Sequence, residues 1–319
     1  MVRVLVAGAP RSGTTWVKRI LASGPTTKQV HEPDNDLKDS FALRAKAGLG
    51  RFPVLFEEEL PGEYRQLWDA ALSGGQPMNS PPARAGQVLL RTARRSTLDG
   101  VLDQEAGLIH RAYSWAFDKA ARPRRGGLDK NTDATVIAKT VHASFALEAI
   151  TDQWPDVNVL IVRRNPLNAV ASWLELGWKP LDLASVPQIR EHWIEPDGLL
   201  APSADASVLY RMAWDYCLLD DALSRSSDRN PDWHVVSHET ICLDPVDEFR
   251  TMFGALGVAF TTEIEQRIRD ANTAGDGYQT NRVAADQIHR WKNRLDEKQV
   301  SEIRSAAACF ESLDGIIGP

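Results

Sequence analysis

Val2-Arg3-Val4-Leu5-Val6-Ala7-Gly8-Ala9-Pro10-Arg11-Ser12-Gly13-Thr14-Thr15-Trp16 is the stretch that decides the fold. A short apolar run ends at a glycine turn, and the turn opens a helical segment over Trp16 to Leu21. Strand, tight turn and helix start in that order are the layout of a loop that cradles phosphate. A nucleoside-triphosphate loop of the form G-x-x-x-x-G-K-[ST] has Lys after its second glycine, reaching the outer phosphates, whereas Thr14 stands there in this chain. The positive charge lies inside the loop instead, at Arg11. Backbone N–H groups at a helix start attract an anion whatever the side chains. The loop therefore keeps its affinity for phosphate-like groups without the ATP-type lysine.

Three further apolar, β-branched runs read as buried strands: Thr135–Ala138, Val157–Val162 and Trp233–Val236. Helix-like sequence follows each, and that alternation predicts a parallel sheet with helical crossovers. Asn165 as N-cap, Pro166 at the first helical position and Gly177 near the end punctuate one helix. Asp244-Pro245 opens another, running to about Leu256 before Gly257. Ser207 to Leu223 sets Val208, Met212, Tyr216, Leu219 and Leu223 on one face, which predicts a helix packed on the core. The expected fold class is α/β, a P-loop-type parallel sheet with helices on both faces in a three-layer sandwich. Residues 1–319 are expected to form a single domain. Proline-rich excursions at 73–96 and 179–207 are candidate lids or substrate loops.

Size and composition bound the function. A chain of 319 residues with 43% hydrophobic and 25% charged residues reads as an ordinary globular protein. A net charge of −6 gives no support to nucleic-acid binding. Cys217, Cys242 and Cys309 are odd in number and far apart, which fits a reducing cytoplasm rather than a disulfide framework. A strand beginning at residue 2 leaves no room for a signal peptide, and no apolar run approaches the roughly 18 residues of a membrane span.

A second anion site is legible beside the first. Arg163-Arg164-Asn165-Pro166 follows the run at 159–162, and Ser172 comes eight residues after Arg164. In open α/β sheets, ligands sit beyond the carboxyl ends of the strands. Two anion sites at two strand ends imply a ligand with two separated phosphate-like groups. Pro10-Arg11-Ser12-Gly13-Thr14-Thr15-Trp16 together with Arg164-Asn165-Pro166…Ser172 resembles the paired donor-binding motifs of sulfotransferases that use 3′-phosphoadenosine 5′-phosphosulfate. His238-Glu239-Thr240-Ile241…Asp244-Pro245 and Arg290-Trp291-Lys292 resemble later segments of the same family.

The resemblance implies roles residue by residue. Ser12, Gly13, Thr14 and Thr15 would hold the 5′-phosphosulfate, with Arg11 on the leaving phosphate and Trp16 near the adenine. Arg164 and Ser172 would bind the 3′-phosphate. Arg282 and Lys292 are carried over to the same phosphate, although Arg282-Val283-Ala284-Ala285-Asp286 replaces the family's glycine-containing run. Lys139, after the second strand run, would contact the sulfonate. Glu32, in His31-Glu32-Pro33-Asp34-Asn35, is the preferred general base, and His142 is the alternative. The expected acceptor is a hydroxyl on a glycan, glycolipid or small molecule, and no metal is demanded. A P-loop kinase or NTPase, or a non-catalytic nucleotide-binding protein on the same scaffold, is the rival reading. Arg84, Arg91, Arg94, Arg95, Arg122, Arg124 and Arg125 could face an anionic acceptor or line solvated helix faces.

Overall fold

Five strands form one parallel sheet in the order β2-β3-β1-β4-β5: β1 (Val2–Ala7), β2 (Thr27–His31), β3 (Thr135–Lys139), β4 (Val157–Arg163) and β5 (His234–Ser237). This computed structural model describes residues 1–24, 26–56, 60–75, 134–272 and 284–317. The proline- and arginine-rich stretch from residue 76 to 96 lies outside the described residues, as do Arg122, Arg124, Arg125 and Arg282. Among the described residues, no helix is long and apolar enough to cross a membrane.

β1 sits at the centre, pairing Val6 with Lys139 of β3 on one side and with Leu160 of β4 on the other. Alternate residues of these strands enter different layers, as the two-residue period of a strand requires. Val4, Val6, Ile137, Leu160 and Val162 pack with Val17, Ile20 and Leu21 of α1 (Thr14–Leu21). The same cluster takes in Phe249 and Phe253 of α8 (Pro245–Ala255) and Ile264 and Ile268 of α9 (Thr262–Ala271). Leu5, Ala7, Val136, Ala138, Val159 and Ile161 pack with Phe41 of α2 (Ser40–Ala45), Leu67 and Trp68 of α3 (Gly62–Leu72) and Ile150 of α4 (Leu147–Gln153). The sheet is thus covered on both sides. Strands buried this way are apolar nearly throughout, which is why β1, β3 and β4 stand out in the sequence.

A third cluster joins α5 (Pro166–Glu175), α6 (Val208–Arg229) and α10 (Glu297–Ala307) through Trp173, Met212, Trp214, Tyr216, Ile303 and Phe310. The predicted punctuation of α5 holds. The Asn165 side chain accepts from Leu167 N at 2.9 Å, Pro166 opens the helix, and Gly177 has φ 64° just past its end. α6 starts after Ser207 and runs six residues beyond Leu223; Met212, Tyr216, Leu219 and Leu223 are buried, but Val208 is 53% exposed because it lies in the helix's first, solvent-facing turn. Asp215 of α6 accepts from the backbone N–H groups of Leu181, Asp182 and Leu183 at 2.7–3.0 Å. That carboxylate fastens the start of the proline-rich excursion at 179–207.

Candidate active site

The carboxyl ends of β1, β2, β3 and β4 open onto a single cleft of about 990 Å³. The loop after β1 enters α1 through Gly13, which is its N-cap residue with φ 101°. A Cβ at that position would overlap the ring of His238, the first residue of α7 (His238–Leu243). Glycine is required twice there, by backbone conformation and by space. No side chain caps α1; Trp16 and Val17 N–H donate to the Gly13 carbonyl at 2.9 and 3.3 Å, which leaves the N–H groups of Thr14 and Thr15 at the open start of the helix, beside the cleft that both residues line. Thr14, in the place of the P-loop lysine, is 2% exposed, and Ser12 Oγ is buried with no partner.

Arg11 adopts φ 76° and turns its guanidinium across to the second motif, Nε donating to Ser172 Oγ at 2.9 Å. Arg164 returns the link, Nη1 donating to the carbonyl of Arg11 at 2.9 Å, while its Nε is buried without a partner. The two anion motifs are therefore laced together rather than standing apart. Trp173 Nε1 of α5 adds a third tie, to the carbonyl of Pro10 at 3.0 Å.

Glu32 extends β2 by one hydrogen bond, its N–H donating to the Lys139 carbonyl at 2.8 Å, and then turns with φ 45°. It is 8% exposed, and it lines the cleft. Lys139 Nζ donates to Oε1, while Asn35 Nδ2 and Lys38 Nζ donate to Oε2 at 2.6 and 2.9 Å. Burial pushes this carboxyl up, but the charge and hydrogen bond of Lys139, joined by Lys38 and Asn35, hold it well below the usual carboxylate range. Lys139 is 2% exposed; burial lowers its ammonium, and Glu32 pulls the other way.

His142 lines the same cleft three residues past the end of β3 at Lys139, with its ring tilted on Phe52 at 5.5 Å. Behind it lies Asp34, fully buried, with Oδ1 3.9 Å from His142 Nδ1 and Oδ2 accepting from Thr140 Oγ1 at 2.5 Å. Burial raises the Asp34 carboxyl; His142, Lys46 and Thr140 outweigh it and keep it below its ordinary value. Trp16 meets His238 and Phe249 edge-on at 5.9 and 5.4 Å, so it is at once a core residue and part of the cleft wall.

Arg11, Thr14, Thr15, Trp16, Glu32, Lys139, His142 and Arg164 thus share one cleft, with Ser12 and Ser172 bonded or packed just behind it. Lys292 is not among its lining residues and lies 5.6 Å over the Trp291 ring. Lys38, Asn35, Asp34 and His238 were not singled out in the sequence as site residues. Among the described residues, six cations (Arg11, Arg19, Lys38, Arg51, Lys139 and Arg164) line the cleft against a single carboxylate, Glu32. Low-dielectric walls lined by one sign of charge focus a positive potential, so the cleft suits an anionic ligand. Among the described residues, no group of three or more His, Cys, Asp or Glu side chains could hold a metal ion.

The family model that matches this chain, described as "Sulfotransferase family", covers residues 3–262. Similar solved structures include the sulfotransferase STF9 from Mycobacterium avium, at 16% identity and TM-score 0.43 over 98% of this chain and 76% of that one. A sulfotransferase from Alicyclobacillus acidocaldarius aligns at 16% identity and TM-score 0.43 over 99% and 96%. The mouse sulfotransferase SULT7A1, solved in complex with PAP, aligns at 11% identity and TM-score 0.39 over 96% and 82%. None of the curated proteins matches the chain in sequence.

Proposed function

The chain belongs to the sulfotransferase family, and from that premise we propose that it moves a sulfonate group from 3′-phosphoadenosine 5′-phosphosulfate to a hydroxyl of a glycan, lipid or small-molecule acceptor. The observation that carries this reading is the meeting, in one cationic cleft, of the capless start of α1, the Arg11–Ser172–Arg164 lacing and the Lys139–Glu32 pair. The buried, unpartnered Nε of Arg164, a residue that lines the cleft, is a group that an anionic ligand would satisfy.

In this reading the amides of Gly13, Thr14 and Thr15 hold the 5′-phosphosulfate, with Trp16 beside the base. Arg11 and Lys139 face the charge that develops as the bridging oxygen leaves. Arg164 and Ser172 take the 3′-phosphate. The acceptor oxygen bonds to sulfur, the sulfur–oxygen bond to the 5′-phosphate breaks, and Glu32 receives the acceptor proton. The products are a sulfate ester and adenosine 3′,5′-bisphosphate. Such an in-line transfer leaves the protein mainly positioning and electrostatic work. His142, backed by Asp34, forms the neighbouring wall where the acceptor hydroxyl would approach.

Calorimetry with adenosine 3′,5′-bisphosphate, ADP and ATP tests the donor. The bisphosphate should bind at least tenfold more tightly than either, a margin of about 1.4 kcal/mol. Equal affinity for ATP would return the chain to the kinase reading. Transfer of radiolabelled sulfonate into a cell extract, followed by isolation of the labelled product, identifies the acceptor.

A further inference from the structure

Lys139 Nζ stands between two partners. It donates to Glu32 Oε1 on one side and lies 3.3 Å from Thr15 Oγ1 of the phosphate-type loop on the other. The main chains beneath are locked, since Glu32 N–H is bonded to the Lys139 carbonyl at 2.8 Å. The ammonium, in contrast, rides on a flexible four-carbon stem. A small rotation of that stem changes its partner without moving either strand.

The resting arrangement leaves Glu32 a poor proton acceptor, because both of its oxygens are occupied by donors and two of those donors are cations. A general base works best with a pKa near the working pH. We propose that Lys139 is a donor-operated latch on the base: it holds Glu32 until a sulfonate seated against Thr15 draws the ammonium away. The carboxylate freed by that exchange takes the acceptor proton, which before transfer belongs to the hydroxyl and afterwards to Glu32. The inference rests on the sulfonate-transfer reading above.

The remaining charges around Glu32 bear this out physically. His31 Nε2 lies 3.7 Å from Oε1, and Lys38 stays on Oε2 at the 58%-exposed rim, where solvent screens it. From α1, Lys18 is bonded to Gln29 Oε1 at 2.8 Å, and burial together with the Lys139 and Arg19 charges pushes it down to about 8. Asp34 acts on Lys139 from the far side. None of these replaces the buried Lys139 contact, so its withdrawal lets burial drive Glu32 toward greater basicity. An acceptor alone would then meet a silent base, and the donor alone supplies the trigger.

The test is a carboxyl titration followed by NMR on protein labelled with carbon-13 at glutamate, with the Glu32 signal assigned by its loss in Glu32→Gln. Three samples are compared without acceptor: free protein, protein with adenosine 3′,5′-bisphosphate, and protein with 3′-phosphoadenosine 5′-phosphosulfate. The Glu32 midpoint should rise by about one pH unit or more with the sulfated donor and much less with the bisphosphate, which lacks the sulfonate. Lys139→Met should show a raised midpoint with no donor present and no further rise on adding it, and Lys139→Arg should restore the low midpoint. Equal midpoints in the two ligands, both bound, would overturn the latch while leaving the donor assignment intact. Failure of either ligand to bind would instead remove the donor reading, and the latch with it. Should Lys139→Met fail to fold, the comparison of the two ligands in the unaltered protein decides alone.

Discussion

Glu32→Gln separates the electrostatic role of the carboxylate from its shape. The amide keeps the side chain's size and can still accept from Lys139, but it removes the one carboxylate that lines the cleft among the described residues. Lys139, 2% exposed, is then a buried ammonium without its counter-charge. Breaking a buried ion pair by removing one partner costs about 3–5 kcal/mol, and the lower end applies because a hydrogen bond survives. With an unfolding entropy of roughly 2.1 cal/mol/K per residue, a loss of about 3 kcal/mol lowers Tm by about 4–5 °C for a chain this long. Transfer should fall about 10²–10⁴-fold, the usual weight of a general base, with the donor KM little changed. Adenosine 3′,5′-bisphosphate should raise the variant's Tm more than it raises the wild type's, because its anionic groups stand near the orphaned ammonium. Scanning calorimetry with and without the bisphosphate reads the first effect, and initial rates with radiolabelled donor read the second. A variant that transfers within about tenfold of wild type at unchanged donor KM would refute the base assignment. A larger loss from His142→Ala than from Glu32→Gln would move it to the other wall.

Arg11→Ala should lower kcat about 10²–10³-fold, whereas Arg164→Ala should appear chiefly as a raised donor KM; an unchanged KM would mean the second anion site is misassigned. Gly13→Ala should weaken bisphosphate binding at least about tenfold, from a backbone strain of roughly 1–3 kcal/mol and the overlap with His238. The Gly13→Ala/His238→Ala double variant should recover part of that loss, and full loss in both would show the overlap to be immaterial. His238 is 6% exposed, and burial, then Arg164, pushes its ring down to about 3 from an unfolded value near 6.5. Between those values the unfolded chain binds more protons, so stability rises with pH across the window and falls as the pH drops. Urea unfolding should show about 2.5 kcal/mol lost from pH 7 to 4.5 through this group, and His238→Asn should lose correspondingly less. Equal losses in the two proteins would contradict a ring held neutral. Activity should survive EDTA, since Arg11, Lys139 and the α1 amides supply the positive charge; loss restored by magnesium would show a metal at work.

The sheet's inner strands were legible because burial on both faces leaves a nearly continuous apolar run, as in Val157–Val162. β2 escaped notice for the opposite reason. Thr27-Lys28-Gln29-Val30-His31 is an edge strand in which only Val30 is buried, so its sequence resembles a polar loop. That omission hid the neighbourhood of Glu32. Once Thr27–His31 is a strand, His31 to Lys38 becomes the loop at its carboxyl end, and Asp34, Asn35 and Lys38 fall beside the cleft for the same reason as Arg11 and Arg164. His238 against Gly13 was out of reach, since nothing local in either segment records a contact between residues 225 positions apart. The lacing of Arg11 to Ser172 was likewise hidden, because each side chain reads by spacing alone as belonging to its own motif.

That lacing gives the cleft a way to refuse as well as to hold. Arg164 spends one nitrogen on the Arg11 carbonyl and keeps its Nε buried with nothing to donate to. In the proposed reading the 3′-phosphate answers this nitrogen, and a nucleotide without that anion leaves it unanswered. Sites built around a buried polar group reject ligands that lack the matching group far more strongly than apolar sites reject a missing methylene. Abundant adenine nucleotides without a 3′-phosphate would thus be turned away at Arg164, some distance from the bond that is broken. On the proposed reading, selection between nucleotides would fall at the orphaned nitrogen, at the far end of the ligand, rather than at its reacting end.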